Sequence, residues 1–194
     1  EDHLTLECGS LLPHVGQQAV PLQKGNNMQY TNLGKTGLKV SRLCLGMMSY
    51  GAKSWRDWVL TEEEAKPFIR RALDAGINFF DTANVYGWKL GEGVTEGIVG
   101  RWFAQGGGRR EKTVIATKVF GRMGTWPNQS RVSALSIRQS VEGSLKRMQT
   151  DYIDVLWVHA WDGVSPLEGV MRALDDVVRS GRVLHVAVSN APAW

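Results

Sequence analysis

Five short apolar runs, separated by four amphipathic stretches, constrain this chain more than any other feature. The runs Arg42-Leu43-Cys44-Leu45, Asn78-Phe79-Phe80 and Val114-Ile115-Ala116-Thr117, then residues 153–158 and 183–188, have strand length and strand character. Between them, apolar residues recur at helical spacing. Ala65, Phe68, Ile69, Ala72 and Leu73 share one face, and Val94, Ile98, Val99, Trp102 and Phe103 mark a second helix, weakened by its glycines. Ile137, Val141, Leu145 and Met148 stripe a third, and Leu167, Val170, Met171, Leu174, Val177 and Val178 form the buried face of a fourth. Thr61 and Glu64 make a capping box for the first helix, Pro67 sits where it bends that helix early, and Gly76 stops it. Ser165 as N-cap, Pro166 at the first helical position and Glu168 as the capping acid start the fourth, and Gly181 ends it. Apolar strands alternating with helices predict a parallel sheet covered by helices.

Ahead of this pattern, Tyr30 to Leu33 and Leu38 to Val40 flank the turn Gly34-Lys35-Thr36-Gly37 and read as a β-hairpin. Residues 1–27 lack periodicity and hold Pro13, Gly16, Pro21 and Gly25; they read as a disordered leader, with Met28 as a natural start. The whole of 28–194 reads as one unit. The 194 residues are 43% hydrophobic and 22% charged, ordinary for a globular protein, and carry a formal charge of +4. The basic residues are scattered, so nucleic acid is not the expected partner. Two cysteines, Cys8 and Cys44, support neither a disulfide framework nor a zinc site, and no apolar run approaches the ~20 residues that cross a bilayer. A cytoplasmic protein with no membrane partner is expected.

Two architectures compete for such a chain: a doubly wound open sheet and a closed (β/α)8 barrel. No Gly-x-Gly-x-x-Gly follows the first strand and no Walker motif occurs, which weakens the first. The strand ends favour the second. Apolar runs stop at Asp81, Lys118, His159 and Ser189-Asn190, and 37, 41 and 31 residues separate Asp81, Lys118, His159 and Asn190 in turn. A barrel of ~250 residues uses ~31 per unit, so one βα unit fits each interval, and parallel strands put all these groups at one mouth. Singly, each has a bland reading as a turn cap, a surface charge or a core histidine. Together they suggest chemistry. No serine or cysteine nucleophile motif accompanies them, and Asp81 with His159 is too small a ligand set for a metal. Tyr86 lies five residues past Asp81 and supplies a proton donor. A phenol ordinarily titrates near ~10, and a nearby ammonium lowers that value. Lys118 can be that ammonium, held by Asp81, while His159 orients a carbonyl oxygen. These groups suit protonation of a carbonyl as hydride arrives, and a cofactor must supply the hydride.

The segments Gly76-Ile77-Asn78-Phe79-Phe80-Asp81-Thr82-Ala83, Val85-Tyr86-Gly87, Ala116-Thr117-Lys118 and Asp151-Tyr152-Ile153-Asp154 leading to His159 resemble those of the aldo-keto reductases, in the aryl-alcohol-dehydrogenase-like and potassium-channel-β-subunit-like branch. The opening Asn32-Leu33-Gly34-Lys35-Thr36-Gly37-Leu38-Lys39-Val40-Ser41 is similar to that family's barrel-bottom hairpin. The resemblance covers residues 28 to 194. It implies an incomplete (β/α)8 barrel and an oxidoreductase acting on a small carbonyl or alcohol substrate. Tyr86 is then the general acid, with Asp81, Lys118 and His159 assisting. Ser189 and Asn190 hold the nicotinamide carboxamide of NADP(H), NAD(H) being the other candidate, with Gly46, Met47 and Asp81 near the cofactor. Trp88 and Trp161 follow Tyr86 and His159 and line the pocket or merely pack loops. Members of the family have three more βα units, so a chain of this extent is expected to be an open, poorly stable barrel with little activity alone. A non-catalytic regulatory fragment and a Schiff-base aldolase using Lys118 stay open as alternatives.

Overall fold

A computed structural model of the chain describes residues 28–87 and 93–192. The leader 1–27, Trp88 and the end at Trp194 lie outside the described residues. An antiparallel hairpin pairs β1 (Tyr30–Asn32) with β2 (Lys39–Ser41), with Tyr30 opposite Ser41. Then β3 (Cys44–Gly46), α1 (Glu62–Asp74), β4 (Phe79–Asp81), α2 (Val94–Phe103), β5 (Val114–Val119), α3 (Ala134–Met148), β6 (Ile153–Val158), α4 (Leu167–Arg179) and β7 (Val183–Val188) follow in strict alternation.

The five later strands form one parallel sheet in the order β3-β4-β5-β6-β7. A doubly wound sheet reverses its strand order at a switch point. Here each strand adds beside the last, as in a barrel, so the order decides between the two architectures considered above. The chain is the hairpin and first five strands of an open (β/α) barrel.

Two apolar clusters lie on the two faces of the sheet. The larger joins Leu45, Phe80, Ile115, Leu156 and Val158 to Ile69, Ile98, Trp102, Ile137, Val141 and Leu174 of the four helices. The smaller gathers Phe79, Val114, Ala116 and Val155 around Val40 of the hairpin, with Trp157 and Ala187 partly buried against it. Alternate side chains of one strand thus serve opposite faces. Each fully buried aliphatic side chain, such as Ile115 or Ile137, contributes roughly 1.5–3 kcal/mol.

Local signals account for most element boundaries. Thr61 and Glu64 form the expected capping box: Thr61 Oγ1 accepts from the Glu64 amide, and Glu64 Oε2 accepts from the Thr61 amide at 2.8 Å. The helix runs on through Pro67. At α4 the expectation fails. The N-cap is Pro166, with no side-chain cap, because the Ser165 hydroxyl and amide both donate to the Asp162 carboxylate at 2.7 and 2.8 Å. With Pro166 as N-cap, the capping-acid position falls on Gly169 and not on Glu168, so no capping box forms. Leu167 and Met171 also leave the expected buried face. They are 56% and 52% exposed, on a stripe that no described helix covers.

Candidate active site

Asp81 closes β4, Lys118 is the last but one residue of β5, and His159 and Ser189 each follow directly on β6 and β7. Ladder hydrogen bonds continue past the strand ends: Thr82 N to Ala116 O at 2.9 Å, Asn84 N to Lys118 O at 3.3 Å, His159 N to Val119 O at 3.0 Å and Ser189 N to Val158 O at 2.9 Å. They hold the four segments side by side at one mouth. Apolar strand interiors fix the sheet, and the polar residue where each strand stops then faces the opening.

Lys118 is 8% exposed, and its Nζ donates to Asp81 Oδ2 at 2.5 Å and to the Thr82 carbonyl at 2.8 Å. The same Nζ stands 4.8 Å from the centroid of the Tyr86 ring. Tyr86 meets His159 edge-on, with centroids 6.0 Å apart and planes at 82°. The phenol, the ammonium, the imidazole and the carboxylate expected from the sequence are therefore neighbours. Burial pushes the Asp81 carboxyl above its ordinary range, against the opposing pull of the Lys118 ammonium. Burial lowers the His159 imidazole, and Lys118 adds to the lowering, so this ring is neutral at pH 7. Tyr50, the buried tyrosine of the adjoining β3–α1 loop, is pushed up to about 12 by desolvation and is a poor proton donor near neutrality.

Tyr86 sits in a tight segment. Its amide donates to the Ala83 carbonyl at 3.1 Å, and its carbonyl accepts from the Thr95 amide at 3.3 Å. Gly87 has φ +92, and a Cβ on Gly51 would lie 2.3 Å from Gly87 Cα. The two loops cross backbone to backbone beside Tyr86, which only glycine permits.

The residues expected to meet a cofactor fall into two groups. Ser189 Oγ and Asn190 Nδ2 both donate to the His159 carbonyl, at 2.8 and 2.7 Å. Asn190 Nδ2 also donates to Ser189 Oγ at 3.3 Å, so what the pair offers a carboxamide N–H is acceptor oxygen. Gly46 pairs with Asp81 across the β3–β4 ladder, and the Met47 amide donates to the Asp81 carbonyl at 2.9 Å. The Met47 side chain is in the core at 1% exposure, so only its backbone adjoins the mouth. Trp161 packs partly buried against the helix-side core. Sequence reasoning missed the Thr82 carbonyl as a Lys118 partner, since a backbone acceptor leaves no mark on side-chain identity. Among the described residues no cluster of His, Cys, Asp and Glu fits a metal ion, and no helix is long and apolar enough to cross a membrane.

Residues 42–194 match the profile of the Aldo/keto reductase family. The chain is 47% identical over 171 residues to the uncharacterized oxidoreductase YrpG of Bacillus subtilis, covering 86% of this chain and 51% of that protein. It is 39% identical to the versiconal hemiacetal acetate reductase of Aspergillus parasiticus, with 86% and 52% covered. It is 42% identical to a putative aryl-alcohol dehydrogenase of Schizosaccharomyces pombe, with 83% and 51% covered. The chain spans about half the length of these relatives. Its singly wound sheet, its four grouped strand-end side chains and the extent of these matches lead to one assignment: the chain belongs to the aldo/keto reductase family.

Proposed function

We propose that this chain carries the proton-transfer half of an NADP(H)-dependent carbonyl reductase, with Tyr86 as the general acid toward an aldehyde or ketone. The observation that supports it is the grouping of the Tyr86 ring with the Lys118 ammonium at 4.8 Å and the His159 ring at 6.0 Å. A carbonyl oxygen entering beside Tyr86 accepts the phenolic proton. Lys118 compensates the negative charge that develops on the phenolate oxygen, and Asp81 with the Thr82 carbonyl keeps the ammonium in place. His159, neutral at working pH, offers the carbonyl oxygen a hydrogen bond without carrying a competing charge.

No side chain at this mouth can deliver a hydride, and a bound nicotinamide dinucleotide supplies one. Ser189 and Asn190 are the residues that would hold its carboxamide, through their acceptor oxygens. Gly46, the Met47 backbone and Asp81, which adjoin one another at the mouth, would lie near it. NADP(H) is the first candidate and NAD(H) the second. The relatives named as a reductase and as an aryl-alcohol dehydrogenase support carbonyl and alcohol interconversion as the reaction class. A Schiff-base role for Lys118 fits less well, because its nitrogen is spent on two acceptors as an ammonium.

The test follows NADPH oxidation with an aromatic aldehyde in the 194-residue chain and in the longest translated product that contains it. Tyr86→Phe is expected to cut turnover by about 100- to 10,000-fold while NADPH fluorescence quenching persists. Unchanged turnover in Tyr86→Phe, or borohydride trapping of a covalent Lys118 adduct, defeats the reading.

A further inference from the structure

Glu96 is fully buried at the start of α2, an unusual place for a carboxylate. Both its oxygens are occupied. Thr117 Oγ1 donates to Oε1 at 2.6 Å, and Arg147 Nε donates to Oε2 at 2.7 Å. The glycines of α2 make this possible. A Cβ on Gly93 would lie 2.2 Å from Arg147 Nε, and one on Gly100 would lie 2.1 Å from the Arg147 carbonyl oxygen. The helix accepts glycine's cost so that α3 can approach and Arg147 can reach inward.

The neighbours of this carboxylate are the catalytic groups at one remove. Thr117 precedes Lys118 on β5, a strand buried along its whole length and flanked by partners on both sides. It is a fixed reference. Thr95 precedes Glu96, and its amide holds the Tyr86 carbonyl at 3.3 Å while its hydroxyl donates to the Tyr50 carbonyl. The segment that carries Tyr86 is thus fastened to α2's first turn, and that turn is fastened to β5 through Glu96. A buried ion pair is a poor source of stability compared with apolar packing of the same volume. Its use here is geometric.

We propose that Glu96 is a positioning residue for the Tyr86 proton transfer: by locking the first turn of α2 to Thr117, it fixes the phenol against Lys118 and His159. The inference rests on Tyr86 being the acid, as argued above. Its consequence for the chain's geometry can be read without cofactor or turnover.

Tyr86 stands edge-on to His159, so its ring current displaces the His159 ring protons in the NMR spectrum of the full 194-residue chain. His159→Gln assigns those signals among the four histidines, and Tyr86→Leu gives the displacement that complete loss of the ring produces. Thr117→Val is nearly isosteric and removes only the hydroxyl that grips Glu96. It is expected to move the His159 signals through most of that displacement while His185 stays in place. Thr117→Ser, which keeps the hydroxyl, is expected to return them. Three results overturn the proposal: His159 signals unmoved in Thr117→Val, equal displacement in Thr117→Ser, or collapse of the whole spectrum, which makes the contact one of general stability. None of these bears on whether Tyr86 donates a proton. Failure of the reductase reading would appear instead in the turnover of Tyr86→Phe.

Discussion

Two causes act in the same direction on His159: burial disfavours its charged form, and the Lys118 ammonium disfavours it further. Replacing Lys118 by Met removes the second cause and leaves the first. An NMR titration of Lys118→Met should find the imidazole raised part of the way toward the ordinary histidine value. A titration unchanged from wild type would mean that the lysine charge does not reach the ring. The stability sign follows from the depressed folded value. At His159 the folded chain binds fewer protons than the unfolded chain below about pH 6.5, so this residue's contribution to stability is lost as pH falls through that range. His159→Gln has no such loss. Its denaturation midpoint should gain on that of the wild type as the buffer is made more acid. These residues were legible in the sequence because each ends an apolar run, a pattern that needs no knowledge of distant partners. Their acceptors were less legible. The Thr82 carbonyl and the His159 carbonyl do much of the holding, and backbone atoms are common to every residue type.

Helices here are set by two kinds of signal, one local and one distant. The α1 cap is local: Thr61 and Glu64 satisfy each other's amides within four residues. Thr61→Ala should cost about 1 kcal/mol, read as a lowered midpoint in urea with an unchanged slope. The α4 start was misread because Asp162, three residues upstream, competes for the same serine. Short-range hydrogen bonds of aspartate and serine against the backbone are alternatives of similar energy, and proline at 166 favours an extended residue before it. The α2–α3 contact is distant. Arg147 meets Glu96 across 51 residues of sequence, and no periodicity forecasts that pairing. The glycines that looked like weakness in α2 are its contact surface. Arg147→Met leaves a fully buried carboxylate without its cation and should destabilise the fold by about 3–5 kcal/mol. Adding Glu96→Gln should recover most of that loss in the same urea titration. A double variant as unstable as the single one would show that packing of the arginine, and not its charge, is what matters.

At the scale of the whole molecule, the sheet has two open edges among the described residues, β3 and β7. The helix-facing side of β7 presents Leu184, Val186 and Val188 to solvent, and α4 adds Leu167 and Met171 nearby in sequence. Exposed apolar rows on an unpaired strand promote association. Light scattering of the 194-residue chain should rise with concentration, and Val186→Thr with Val188→Thr should reduce that rise without altering the His159 spectrum. The barrel class was legible from spacing and from the want of dinucleotide-loop glycines, whereas the balance of covered and bare surface depends on which neighbours are present and has no local signature. The sequential strand order carries a last consequence. Tyr86, Lys118, His159 and Asn190, the side chains proposed for the chemistry, lie at the ends of or just past four adjacent strands, within the stretch from Asp81 to Asn190. A single gene segment spanning codons 81 to 190 therefore moves all of these side chains together, and a cut inside it separates them.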